Sequence, residues 1–218
     1  MSSHLNKLRT DLEYAVWSRL DELRSLRNVR SQLKEDSQEE LSLRKQLVVA
    51  FYAHFEGFCK EVFQAYLHYV NSVAPRCSDA DYRLVASTFK VEFDRMLDED
   101  YKCDLFKDEY SVEDEVHVQF RRAELLENLG LIDSRQVSVD EDLVVDTKSN
   151  LSPRILQKLL FRCGLDTATY EAYKGDLSHL VNRRNRVAHG AARSTLEWKD
   201  VKRLPRTGEE MMRNLRDE

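Results

Sequence analysis

The hydrophobic positions in the first third of the chain recur every three to four residues, which is the spacing of one face of an α-helix. Residues 3–33 carry this pattern without a glycine or a proline and predict one long amphipathic helix. Ser37, followed three residues later by Glu40, forms a capping box for a second helix, which should continue to about Asn71 before Pro75. Because the connection between them is short, the two helices should run antiparallel.

The same reasoning predicts further helices in the rest of the chain. They are residues 78–97, residues 116–129 before Gly130, a helix that opens at Ser152-Pro153 and ends at Gly164, a helix that ends at Gly190, and a helix between Ser194 and Pro205. The valine-rich residues 137–145 instead predict a short strand pair or an extended loop. The expected fold is therefore all-α, an antiparallel helical bundle with two long N-terminal helices.

Composition supports a helical protein and excludes several classes of site. Of the 218 residues, 33% are charged and only six are glycine and three proline, which is typical of a helical domain with one core. No run of 18 uncharged apolar residues exists, so we expect no membrane segment, and the charged N-terminus predicts a cytoplasmic protein. The four cysteines are scattered, which favours free structural thiols over a zinc site or a disulfide framework.

The charges are distributed unevenly along the chain. Residues 78–146 contain 20 acidic and 8 basic side chains, a net charge of −12, whereas residues 154–206 contain 12 basic and 5 acidic side chains, a net charge of +7. We therefore interpret residues 78–150 as an acidic insertion within a single domain that spans residues 1–218. The basic segment is the one whose local field would attract a phosphate backbone, although both segments could simply be solvated helix faces.

The basic segment contains the one stretch with chemistry to explain, residues 183–190. Arg184 falls on an apolar helix face formed by Leu177, Leu180, Val181, Val187 and Ala188. A half-buried guanidinium needs a carboxylate or a bound anion as its partner. Asn185 and His189 lie four residues apart on one side of the same helix, and Gly190 predicts that His189 lies in its last turn with the imidazole exposed. A surface helix end rich in arginine would show the same pattern.

Arg184-Asn185, three residues and then His189 resemble the signature of the HEPN family, an arginine and a polar residue followed by a histidine. The aromatic segment 51–58, which contains Glu56, is similar to the second helix of one HEPN branch. Glu56 is accordingly the candidate partner of Arg184, and Gly57 beside it would let another backbone come close. A surface pairing of Glu56 with Lys60 is the alternative.

The resemblance implies a metal-independent endoribonuclease of a toxin–antitoxin or antiviral defence system that cleaves single-stranded RNA as a homodimer without a cofactor. Its catalytic residues would be Arg184, Asn185 and His189. The expected supporting residues are Glu56, Arg183 and Arg186, and the candidates for inactivating nucleotide modification are Tyr170 and Tyr173. An antitoxin or another defence-system protein is the expected partner. The alternatives are a non-catalytic module that binds RNA or a nucleotide, and a helical dimerisation or docking scaffold.

Overall fold

The computed structural model describes residues 2–146 and 150–188, together with residues 210, 212 and 213, and of residues 2, 169, 170 and 172 it describes only the backbone. Its helices are α1 (Ser2–Ser31), α2 (Gln38–Val73), α3 (Tyr82–Thr88), α4 (Lys90–Leu97), α5 (Glu115–Leu129), α6 (Glu141–Val144), α7 (Pro153–Arg162) and α8 (Lys174–Ala188). Short 3-10 helices occupy Cys77–Asp79 and Ala168–Tyr173. The all-α prediction is confirmed.

The chain divides into two compact units. The first combines Met1–Tyr69 with Glu141–Glu218, and the second is Val70–Asp140. The second unit contains most of the residues that the sequence predicted as an acidic insertion at residues 78–150, although its boundaries lie eight to ten residues earlier at both ends. Among the described residues, no helix is long and apolar enough to cross a lipid bilayer.

In the first unit, α1 and α2 are antiparallel, as predicted. Three contacts connect them in reversed order along the chain: Arg19 with Glu61, Glu22 with His54 at 3.3 Å, and Arg30 with Glu40 at 2.8 Å. The buried face of α2 supplies much of the core through large apolar side chains that recur at helical spacing. Its fully buried members are Phe55, Phe58, Cys59, Phe63 and Leu67.

The turn between α1 and α2 contains a buried charge cluster that the hydrophobic pattern did not predict. Ser37 Oγ caps the Glu40 backbone N–H at 3.2 Å, as the capping box predicts. The Glu40 carboxylate is fully buried and accepts hydrogen bonds from Arg30 Nε at 2.8 Å and Arg44 Nε at 2.6 Å. Arg44 also reaches Asp36, which adopts a left-handed backbone conformation with φ of 57°. These bonds fix the direction in which α2 leaves the turn.

Of the two alternatives predicted for residues 137–145, the strand pair is wrong, and the extended loop describes residues 137–140 but not Glu141–Val144. Glu141–Val144 form the helical turn α6, and its carbonyl groups at Leu143 and Val144 accept hydrogen bonds from Arg162 Nη1 at 2.9 and 3.1 Å. Within the described residues, the β-type pairing is one isolated antiparallel bridge, between Arg76 and Gln136. The valines are buried because they line the core as extended chain and helical turn, not because they pair as strands.

In the second unit, the single helix predicted at residues 78–97 is two helices. The Asp81 side chain caps the Arg83 backbone N–H at 2.8 Å, so α3 begins after Asp81 and not at Ser78. Phe89 ends α3 and precedes α4, and its fully buried ring lies 4.3 Å from the Arg135 guanidinium carbon. At the break, the Thr88 carbonyl accepts a hydrogen bond from Arg135 Nη2 at 3.4 Å, and the Thr88 hydroxyl accepts one from the Ser138 backbone N–H at 3.1 Å. Helical periodicity does not indicate such contacts with distant residues.

Helix α5 confirms its prediction, with Asp114 as the N-cap and Gly130 after its end. Two of its polar side chains are buried against the backbone of the acidic residues 98–114. Arg121 Nη1 donates to the Tyr101 carbonyl at 3.0 Å, and His117 Nδ1 accepts from the Cys103 backbone N–H at 3.1 Å. The acidic segment is thus held to α5 through its main chain.

Candidate functional site

Helix α8 carries the basic motif on a face that packs into the first unit. Leu177, Leu180 and Val181 are buried, and α8 packs against α7, which begins at Ser152 and Pro153 as predicted. Arg184 continues this face one turn later and is half-buried. Ala188, which the sequence placed on the same face, is exposed. The packed face therefore ends near Arg184, which brings a cation to the edge of the core.

The Arg184 guanidinium has two neighbours that fix its position. Its central carbon lies 4.9 Å from the centroid of the Tyr52 ring, within the range of a cation–π contact. Its Nη1 donates to Asn185 Oδ1 at 3.1 Å. Because a guanidinium has five N–H donors, this arrangement leaves other donors in a fixed plane that can bind two oxygens of one phosphate.

Tyr52 is itself held rigidly. Its side chain is buried, and its hydroxyl donates to Asn150 Oδ1 at 3.1 Å and accepts a hydrogen bond from the Leu151 backbone N–H. Burial, and then the nearby Glu56 carboxylate, raise the pKa of Tyr52, while the Arg184 charge acts in the opposite direction. The hydroxyl therefore stays protonated and available as a donor.

Glu56 and Arg184 both lie next to Tyr52. The Tyr52 hydroxyl has one proton, which it can donate either to Asn150 Oδ1 or to the Glu56 carboxylate. The face of the same ring lies against the Arg184 guanidinium. A direct ion pair between Glu56 and Arg184 stays a prediction. Among the described residues, the atom nearest to a side chain added at Gly57 would be Arg19 Nη2 at 3.6 Å, so in that part of the chain a side chain, and not the expected backbone, comes close to Gly57.

The other predicted site residues are placed as follows. Arg183 is half-buried and its Nε donates to His179 Nε2 at 3.3 Å, whereas Arg186 is exposed. Tyr173 is half-buried at the end of the 3-10 helix, and the side chain of Tyr170 lies outside the described residues. His189 and Gly190 also lie outside them.

Tyr52, which contacts Arg184, and Asn150, which contacts Tyr52, were not predicted from the sequence. Tyr52 stood in the aromatic segment quoted for the family resemblance, four residues before Glu56, and that spacing is the signal that could have identified it. Asn150 has no such signal, because it precedes α7 in an irregular segment and its role depends on tertiary structure. In the described part of the chain, no three His, Cys, Asp or Glu side chains group as metal ligands.

The cysteines agree with their prediction as free thiols, and Cys59, Cys77 and Cys163 are buried. Burial raises the pKa of the Cys163 thiol to about 12, so it is not a nucleophile at neutral pH. The candidate site therefore consists of an arginine, two amides, a neutral tyrosine and a carboxylate, together with the neighbouring arginines of α8.

Comparison with known proteins gives one family. The family model described as RiboL-PSP-HEPN matches residues 17–218, which include α2, the Tyr52 segment and the whole of α8. A search of curated proteins and a search of solved structures each give no match. The match confirms the resemblance that the motif and the second helix indicated. The chain belongs to the RiboL-PSP-HEPN family.

Proposed function

We propose that this protein is a metal-independent endoribonuclease that cleaves single-stranded RNA. The observation that carries the proposal is the guanidinium of Arg184, held at the edge of the core between the Tyr52 ring and the Asn185 amide, in a chain of the HEPN class. A fixed, half-buried cation beside polar side chains suits the charge that develops on a phosphate during transesterification.

The proposed reaction needs no group from outside the protein. His189 accepts the proton of the ribose 2′-hydroxyl, the 2′-oxygen attacks the adjacent phosphorus, and the bond from phosphorus to the 5′-oxygen breaks. A second acid protonates the departing 5′-oxygen. The products are a 2′,3′-cyclic phosphate and a 5′-hydroxyl end. Arg184 stabilises the charge on the non-bridging oxygens, and Asn185, whose Oδ1 faces Arg184, has its side-chain N–H groups left to orient the phosphate or His189.

The second acid is supplied by a second copy of the chain. One chain contributes one motif histidine, whereas the reaction uses one group to remove a proton and another to deliver one. A two-fold axis beside α8 would bring two copies of Arg184 and His189 to one groove. Such a groove admits a single strand with unstacked bases more readily than a duplex. We assign the biological role to a toxin or a defence effector, with an antitoxin or a defence-system protein as its partner.

Digestion of mixed RNAs in EDTA tests the proposed function. Wild-type protein should cut, His189→Ala should lose about 10²–10⁴-fold in rate because the acid–base group is gone, and Arg184→Lys should lose about 10²-fold or more because a lysine cannot bind bidentately. Arg122→Lys changes an exposed arginine of α5 and serves as the matched control. Cleavage that requires a divalent cation, or a fully active His189→Ala variant, would contradict the proposal.

A further inference from the structure

The outward face of α1 carries two large aromatic side chains in water. Tyr14 is 71% exposed and Trp17 is 66% exposed, one helical turn apart, while Ala15 and Val16 between them are buried. A helix face that only contacts water is normally covered by charged side chains, so an exposed Trp–Tyr pair indicates a surface that binds another molecule.

The same face continues into a basic concavity. Arg24 lies seven residues, or two turns, after Trp17, and Asn28 lies four residues after Arg24. An open concavity there is lined, among the described residues, by Arg24, Arg27, Asn28, Arg30 and Ser31. From Tyr14 to Ser31 the helix is about 26 Å long. Along this side of α1, two aromatic rings are therefore followed by Asp21 and then by two guanidinium groups.

The arginines of α1 differ in whether a carboxylate neutralises them. Arg19 and Arg30, which face α2, pair with Glu61 and Glu40. In contrast, within the described residues Arg24 pairs with Asp21 alone, at 3.6 Å and in solvent, and Arg27 has no carboxylate partner. An exposed ion pair contributes little to stability, so Arg24 can leave Asp21 for a phosphate at a small cost in free energy. Within the same described residues, Arg27 has no ion pair to break.

We propose that the outward face of α1 is a second RNA-binding surface, on which Tyr14 and Trp17 stack with bases and Arg24 and Arg27 bind phosphates. This inference rests on the proposed function, because the outward face of α1 would contact the same RNA substrate outside the candidate site around Arg184. Aromatic platforms combined with basic side chains are how proteins hold single strands without regard to sequence. A protein partner would need carboxylates to match the arginines, whereas RNA provides both the anions and the stacking partners.

Binding can be measured separately from cleavage. In a His189→Ala background and in EDTA, fluorescence anisotropy with a labelled single-stranded RNA oligonucleotide gives Kd. Trp17→Ala should raise Kd about tenfold. Arg24→Gln with Arg27→Gln should reduce the slope of log Kd against log salt by roughly 1.4, because each phosphate contact in a single strand contributes about 0.7. Tyr82→Ala and Arg122→Gln are the matched exposed controls and should bind as the parent does.

A second readout reports on Trp17 directly. Trp198→Phe leaves Trp17 as the single tryptophan, and RNA should quench its fluorescence if a base stacks on it. Unchanged Kd in the Trp17 and arginine variants together with no quenching would overturn the inference. A change of oligomeric state in sedimentation without a change in Kd would also overturn it, since the face would then contact protein.

The inference and the proposed function can fail separately. If wild type cleaves RNA but the α1 variants bind normally, the second surface is wrong and the nuclease assignment stands. If wild type does not cleave RNA but the α1 variants lose affinity, the surface stands and the nuclease assignment is wrong. When both hold, the α1 variants should raise KM for long RNA while a dinucleotide, too short to span both regions, is cleaved at the wild-type rate.

Discussion

The contact between Arg184 and Tyr52 can be tested as a coupling free energy. The perturbations are Arg184→Met, Tyr52→Leu and the double variant, which remove the cation, the ring or both. A cation over an aromatic ring contributes about 0.5–1 kcal/mol when exposed and about 2 kcal/mol when desolvated. Since Arg184 is half-buried and Tyr52 is buried, we expect a coupling of about 1–2 kcal/mol.

Urea unfolding measures the four free energies that the cycle needs. Tyr52→Leu should cost about 2–4 kcal/mol, because it also leaves a cavity and removes the hydroxyl partner of Asn150. The double variant should then cost less than the two single variants together by the coupling. A parallel cycle with Arg186→Met, an exposed arginine of the same helix, should be additive.

The outcome decides whether the ring positions the arginine. A coupling below about 0.3 kcal/mol, the level at which independent sites add, would refute the stacked arrangement. Activity gives a second criterion, because Tyr52→Phe keeps the ring but loses the hydroxyl bonds to Asn150 and Glu56. If Tyr52 positions Arg184 chiefly through stacking, Tyr52→Phe should retain much more activity than Tyr52→Leu at temperatures where both remain folded.

Three further predictions concern pH, charge and assembly. Burial alone would raise the pKa of Glu40, but hydrogen bonds from Arg44 and Arg30 outweigh it, and the net pKa is below 4.5. This stabilisation is present above pH 4.5 and is lost as the pH falls through the folded-state pKa. The free energy of unfolding should therefore fall less steeply with decreasing pH in Glu40→Gln than in wild type. Neutralising the acidic residues 140–142 should raise RNA affinity more at low salt than at high salt. Mixed dimers of wild type and His189→Ala should keep less than half the activity of wild-type dimers.

Each of these three predictions has a result that would contradict it. If the free energy of unfolding falls equally steeply with decreasing pH in Glu40→Gln and in wild type, other carboxylates govern the acid sensitivity. Unchanged RNA affinity after neutralisation would leave the acidic residues as solvation, or as local contacts such as those of Glu141 with His68 at 3.4 Å and Asp142 with Gln64 at 3.3 Å. Half activity in mixed dimers, or an active monomer in sedimentation, would mean that each chain carries a complete site.

Helical periodicity and cap residues predicted the elements that depend on local sequence. The bounds of α1, α2 and α5 and the Ser152 cap of α7 agree with the structure because each is determined by residues within a few turns. The break at Phe89 and the helical turn at Glu141–Val144 were missed, since at both places backbone carbonyls accept hydrogen bonds from distant arginines, Arg135 and Arg162.

The candidate site also combines local features, which the sequence predicts, with tertiary contacts, which it does not predict. The sequence placed Arg184 on the packed face of its helix and next to Asn185, because both facts are local. It did not predict that the ring beneath Arg184 is Tyr52, or that Asn150 holds that ring, because these residues come from three separate segments. The proximity of Glu56 to Tyr52 likewise depends on the fold around Arg184, and the direct pairing of Glu56 with Arg184 stays a prediction.

The central claim is that the chain cleaves RNA by internal transesterification without a metal. Its most direct test is the chemical identity of the ends that purified wild-type protein produces from a defined single-stranded RNA in EDTA. The account predicts a 2′,3′-cyclic phosphate on one fragment and a 5′-hydroxyl on the other, both missing with His189→Ala. Fragments with a 3′-hydroxyl and a 5′-phosphate would contradict it, because those ends require an attacking water and not the 2′-oxygen.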